Sequence, residues 1–248
     1  MMDNRNIQKR IIIGASIIAC FLGLVLLGYR FILNLNQYGG DSVEEATPHS
    51  FPKLEIEVKN YDVKIVEGQV EYTENPNPEF EPVKVLYKSE SELLFLADEQ
   101  NLLIDLSDPF LIALIEEGAG YADDSSKLYN FSKENFSALN IESFDYSRKM
   151  SETDAENPIS LSELARANVG YCFEQSIFRG LAYAYAGDPK KIVVMYPPQD
   201  SVGQYGHATV KGLQQDPKEV IEDFLATDLY TWDVRYYQEI QINIANTK

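Results

Sequence analysis

Residues 158–196 read PISLSELARANVGYCFEQSIFRGLAYAYAGDPKKIVVMY, and residues 207–213 follow as HATVKGL. Ser160 three positions before Glu163 has the spacing of a capping box, in which each side chain serves the other's amide, so a short helix should open there and run to about Asn168. Gly170 is expected to break it. A second helix should begin near Cys172 and reach Ala186, with Gly187-Asp188-Pro189 as its C-cap and stop. On that helix Cys172, Ser176, Gly180 and Ala184 recur every fourth position, a stripe of small side chains that lets a strand or helix approach closely. Phe173, Ile177 and Leu181 lie beside the stripe. KIVVMY and HATVKGL then read as strands, separated by a loop over Pro197–Gly206.

Working outward, Asp216-Pro217-Lys218-Glu219 opens a helix expected to extend to about Ala226. Trp232, Val234, Tyr236, Ile240, Ile242 and Ile244 alternate with polar neighbours, the clearest period-two signal in the chain and the mark of a long amphipathic strand. Upstream, Leu54, Ile56 and Val58, then Val63 and Ile65, Val70 and Tyr72, and Val83 and Val85 have the same period, giving a small β-rich region over 53–120. Prolines 76, 78 and 82 punctuate a loop inside it. Asp108-Pro109 followed by Leu111, Ile112, Leu114 and Ile115 reads as a short helix ending at Gly118. Residues 121–157 are polar with scattered Phe and Tyr and are expected to form long surface loops. The fold class this implies is α+β, in two parts, 53–120 and 121–248.

The N-terminal stretch Ile11–Tyr29 carries no charged side chain over 19 residues, about what a helix needs to cross ~30 Å of hydrocarbon. Residues 11–33 are therefore expected to form a transmembrane helix. Arg5, Lys9 and Arg10 precede it, so residues 1–10 should remain cytoplasmic and everything beyond a Gly/Pro/acid-rich tether over 34–52 should lie outside the cytoplasm. Two rivals stay open: a cleaved signal peptide, and a lipoprotein whose lipidated residue would be Cys20. The charge balance is 21 Lys+Arg against 39 Asp+Glu, and Asp3 is the one acid before residue 41. Such a surface disfavours nucleic-acid binding, which draws on clustered cations. Two Cys and two His leave no disulfide scaffold and little for a His-rich metal site, and no cofactor motif is present.

Chemistry is expected at Cys172, the one cysteine beyond the membrane segment, set in the first turn of a helix where free amides and the macrodipole favour a thiolate and depress the thiol pKa. Glu174 in the same turn opposes this. His49 falls in the tether, which leaves His207, at the start of a strand, as the base that would activate the thiol. The bland reading of Cys172 is a packing residue on a small-residue stripe.

The run Gly170-Tyr171-Cys172-Phe173-Glu174-Gln175-Ser176, the alanine-rich helix, the KIVVMY strand and Gly206-His207-Ala208-Thr209-Val210 together resemble the core of the transglutaminase-like superfamily of papain-like folds, over about 159–213. That resemblance implies a Cys-bearing helix packed on an antiparallel sheet, with Cys172 as nucleophile and His207 as base. It implies a third residue on the following strand, for which Asp233 is the choice and Asp228 the second candidate. The family's ending around that Asp is missing, as is a Trp ahead of the cysteine, since Trp232 is the chain's single Trp. The expected activity is thiol acyl transfer on a protein or peptide, by hydrolysis or crosslinking. The alternatives are an inactive binding or scaffold module of the same fold and a cell-wall peptidase of another Cys-His family.

Overall fold

A computed structural model describes residues 54–67, 69–78, 82–97, 100–140, 156–196, 207–226 and 234–244. The anchor over 11–33, the tether, Cys20, His49, Asp228, Trp232 and Asp233 lie outside the described residues. Among the described residues no helix is long and apolar enough to cross a membrane.

A run of strands is followed by mixed helices and strands. Strands β1 (Leu54–Val66), β2 (Gln69–Glu74), β3 (Lys84–Tyr87), β4 (Glu92–Ala97) and β5 (Gln100–Asp105) come first. Helices α1 (Pro109–Ala119) and α2 (Ser125–Asn135) follow, then β6 (Ile159–Ser160), α3 (Leu161–Ala167) and α4 (Cys172–Tyr185). Strands β7 (Lys191–Tyr196) and β8 (His207–Lys211), helix α5 (Pro217–Ala226) and strand β9 (Tyr236–Ile244) complete it. One sheet has the order β2-β1-β9-β7-β8 and is antiparallel throughout. The other, β3-β4-β5-β6, is antiparallel except for the short β5–β6 pair. The fold is therefore mixed α+β.

Residues 53–120 and 121–248 share one sheet and one core. β1 pairs with β9 from Leu54↔Ile244 to Asp62↔Tyr236, which places the N-terminal strand in the middle of the C-terminal sheet. The described residues cluster as one unit.

Helix α4 is the centre of that core. Its Phe173 ring meets Phe95 of the four-stranded sheet edge-on at 6.3 Å, and Phe178 packs on Phe131 and Phe136 at 5.9 and 5.4 Å. Both phenylalanines of α4 are buried, each contributing about 1.5–3 kcal/mol relative to exposure. On its other side the small-residue stripe lies on the five-stranded sheet, as its spacing predicts. A Cβ at Gly180 would stand 2.6 Å from Ile192 Cδ1 and 2.7 Å from its Cγ1. Ile192 is fully buried and has little room to give, so Gly180→Val should destabilise the protein by about 2–3 kcal/mol through overpacking, read as a lower urea midpoint. Beyond the C-cap Ala186, Gly187 takes φ 79°, a left-handed position that suits glycine.

Two local readings are corrected. The region 121–157 is not all loop: α2 spans Ser125–Asn135, started by Asp124 accepting from the Lys127 amide. Its buried positions are Leu128 and Ser132, four apart, too few for a visible period, and its mean hydropathy is low. Helix α3 is ended by Asn168 in the left-handed region (φ 51°), not by Gly170. Gly170 serves packing, since a Cβ there would meet Phe136 Cβ at 2.9 Å.

Strand β9 is buried on both faces because it is the central strand of five and helices cover both sides. Ile240 and Ile242 face the core that contains α4, whereas Tyr237 packs with Val193, Met195, Val220 and Ile221 on the side of α5. Gln238 and Glu239 are buried too. Gln238 Oε1 accepts from Tyr196 Oη at 3.0 Å while its Nε2 donates to the Val83 carbonyl at 2.9 Å, and the Val83 amide donates back to Tyr196 Oη. The closed ring satisfies all three residues, as burial demands.

Candidate functional site

Helix α4 begins at Cys172 itself. Glu174 fixes that start: its carboxylate is fully buried and accepts from the Tyr171 amide at 2.8 Å, one arm of a capping box. Gln175 Nε2 donates to the Phe136 carbonyl at 2.7 Å, tying the same turn to the end of α2. The first turn of α4 is thus held from two directions.

The half-buried Cys172 sulfur lies near β8, the edge strand of the five-stranded sheet, close enough for the Ala208 amide to favour its thiolate. The Cys172 and Phe173 amides also point at the sulfur. The Ala208 nitrogen is two bonds from the His207 Cα, so the sulfur sits beside the backbone at the start of β8. The backbone of the two residues is therefore close, while their faces of the sheet differ. By register Ala208 pairs with Val194 on the α4 side, and His207 pairs with Met195, whose side chain belongs to the α5 side of the sheet. His207 is half-buried at the very start of the strand. Asp233 falls outside the described residues.

The thiol differs from the expectation of a depressed pKa. Burial pushes it above the ordinary thiol range, and the charge of Glu174 acts in the same direction. The amides of Ala208, Cys172 and Phe173 pull the other way without prevailing. Helix-start geometry was visible in the sequence; the desolvation by Phe173 and its neighbours, which outweighs it, was not.

His207 is held below its ordinary value near 6.5, first by burial and then by the charge of Arg179. The imidazole is therefore neutral at pH 7 and able to accept a proton. This neutral preference stabilises the fold fully above about pH 6.5 and is lost as the pH falls through the lower folded value. His207→Gln should accordingly flatten the loss of stability between about pH 6.5 and 5, checked by urea unfolding at several pH values. An unchanged slope would mean that His207 titrates alike in the folded and unfolded chain.

Arg179 is the site residue that sequence reading passed over. It stands seven positions after Cys172, on the same face of α4, and is the one basic residue of that helix. Its Nε donates to the Gln175 carbonyl at 3.2 Å and one Nη to Ser176 Oγ at 3.1 Å, so the side chain runs back toward Cys172. A cation at that spacing on a stripe of otherwise small residues was the available signal. In comparisons with known proteins, no family model, no curated protein and no solved structure matches the chain.

Proposed function

We propose that this protein is a thiol acyltransferase or amide hydrolase of the transglutaminase-like kind, with Cys172 as nucleophile and His207 as general base. The observation that carries the reading is the seating of a helix-start thiol near the backbone of the strand that begins with the one histidine among the described residues. His207 opens that edge strand, one position before the residue whose amide faces the sulfur.

With a protonated thiol and a neutral imidazole at rest, the sulfur attacks an amide carbonyl carbon as its proton passes to His207. The S–C bond forms, the carbonyl electron pair moves onto oxygen, and the amide of Cys172 is placed to donate to that oxyanion. Collapse breaks the C–N bond and the imidazolium gives its proton to the leaving amine. Water or a second amine then releases the acyl group. A protein or peptide is the substrate class, and Asp233 remains the candidate for orienting the imidazole. In the same reading, residues 11–33 anchor the chain in a membrane with the described domain outside the cytoplasm, on the strength of the apolar run and its flanking charges.

One observation favours a second reading. A thiol kept protonated by burial behaves as a small hydrophobe, which suits an inactive scaffold of the same architecture. An activated aryl ester separates the two: the enzyme should release about one equivalent of phenol in a burst, with the acyl group mapped to Cys172 by peptide mass. The absence of acylation at Cys172 in the folded chain would favour the scaffold.

A further inference from the structure

We propose that Arg179 is the specificity-determining residue of this site, holding a carboxylate of the acyl donor about one helical turn from the Cys172 sulfur. The inference rests on the acyl-transfer reading and adds a substrate class to it: acyl donors with an aspartyl or glutamyl side chain, or a free carboxylate, next to the scissile carbonyl.

The guanidinium is anchored at the level of Ser176, whose Cβ lies one turn, or about 6 Å, from that of Cys172. Two of its donors are committed, to the Gln175 carbonyl and to Ser176 Oγ, leaving the remaining N–H groups of the fork. Its central carbon lies 5.2 Å from the centre of the Tyr129 ring, and the Lys133 ammonium lies 5.2 Å from the same centre. Two cations thus gather on one aromatic side chain of α2. Among the described residues no carboxylate is within ion-pair distance of either, in a chain where acids outnumber bases nearly two to one. A half-buried guanidinium with no counter-charge among the described residues is costly there, and the fork geometry matches a carboxylate.

The charge also acts on the reacting groups. Arg179 feels the Cys172 thiolate, and His207 feels Arg179, so all three share one electrostatic neighbourhood. With the fork anchored one turn from the position of Cys172, the group of an acyl donor that would meet it is an acidic side chain or free carboxylate next to the scissile carbonyl.

The test compares two alkylating reagents on the full chain, anionic iodoacetate and neutral iodoacetamide. In each case sulfur bonds to the CH2 carbon, iodide leaves and the thiol proton passes to base. Peptide mass mapping separates Cys172 from Cys20. Because any change in thiol ionisation alters both rates equally, the ratio of the two rates reports attraction of the carboxylate alone. Arg179→Gln should lower the iodoacetate-to-iodoacetamide ratio about tenfold, whereas Arg179→Lys, which keeps the charge, should retain most of it. Far-UV circular dichroism confirms that each variant is folded. A ratio unchanged within twofold in a folded Arg179→Gln, with Cys172 still reactive, overturns the assignment of Arg179 and leaves the nucleophile standing. A Cys172 inert to both reagents in the folded wild type and reactive once unfolded overturns the nucleophile reading, and this inference with it.

Discussion

Cys172→Ala should lower acyl transfer to an activated ester by at least about 10³-fold and leave the fold in place. The sulfur is the atom that forms the covalent bond, so no neighbour can substitute for it, and losses of this order or larger follow removal of a nucleophile. The structural cost is small for a local reason. Position 172 begins α4 on the small-residue stripe with Ser176 and Gly180, Ala is accommodated there, and Glu174 continues to hold the Tyr171 amide. A change under about 1 kcal/mol in urea unfolding is expected at pH 7. The pH dependence carries a sign. Burial raises the folded thiol pKa, so the protonated thiol stabilises the fold below about pH 9 and that contribution is lost as the pH rises through the folded value. The alanine variant should therefore lose less stability than wild type on the alkaline side. A variant that still forms an acyl-enzyme elsewhere would move the chemistry from Cys172.

The largest stability effect is expected far from the thiol, on the α5 side of the sheet. Glu239 is buried in β9 and accepts from Lys191 Nζ at 2.6 Å through one oxygen while Lys211 Nζ meets the other. The Lys211 side chain is 1% exposed, donates to the Gln215 carbonyl at 2.9 Å and lies over the Tyr237 ring at 5.3 Å. Glu239→Ala leaves that ammonium buried without a counter-charge, at a cost of about 3–5 kcal/mol. The penalty belongs to the orphaned cation more than to the lost pair. Lys211→Met combined with Glu239→Leu should therefore recover most of the loss, because apolar replacements of similar volume often match a buried ion pair. Both values can be read from urea midpoints, and a double variant no more stable than Glu239→Ala would contradict the account.

Those two residues show where pattern reading reaches its limit. In the sequence, Glu239 and Gln241 alternate with Ile240 and Ile242 and mark a solvated face; in the fold, five strands side by side and a helix on each face bury Glu239 as well as both isoleucines and leave Gln241 half-buried. Alternation reports a difference between two faces, not that one of them is wet. The α4 region was legible because each local signal agreed: a helix start, a stripe with helical period and a glycine stop. The starts of α4 at Cys172 and of β8 at His207, separated by one strand, were legible too. Helix α2 was not, since its apolar contribution is Leu128 with a few aromatics on a polar surface, and tertiary contacts from α4 give it its place. The pairing of β1 with β9 was likewise invisible, because register between strands nearly two hundred residues apart leaves no local trace. Arg179 escaped because a single cation on a helix reads as a solvated residue until its direction is known.

The central claim is that His207 takes the proton of Cys172, and the rate of Cys172 acylation by a neutral aryl ester at pH 7, in wild type and in His207→Ala, measures it most directly. The account predicts a fall of about 10²-fold or more in the variant, with the remaining rate rising with pH as the thiol ionises by itself. Equal rates in the two folded proteins across pH 6–9 would contradict it.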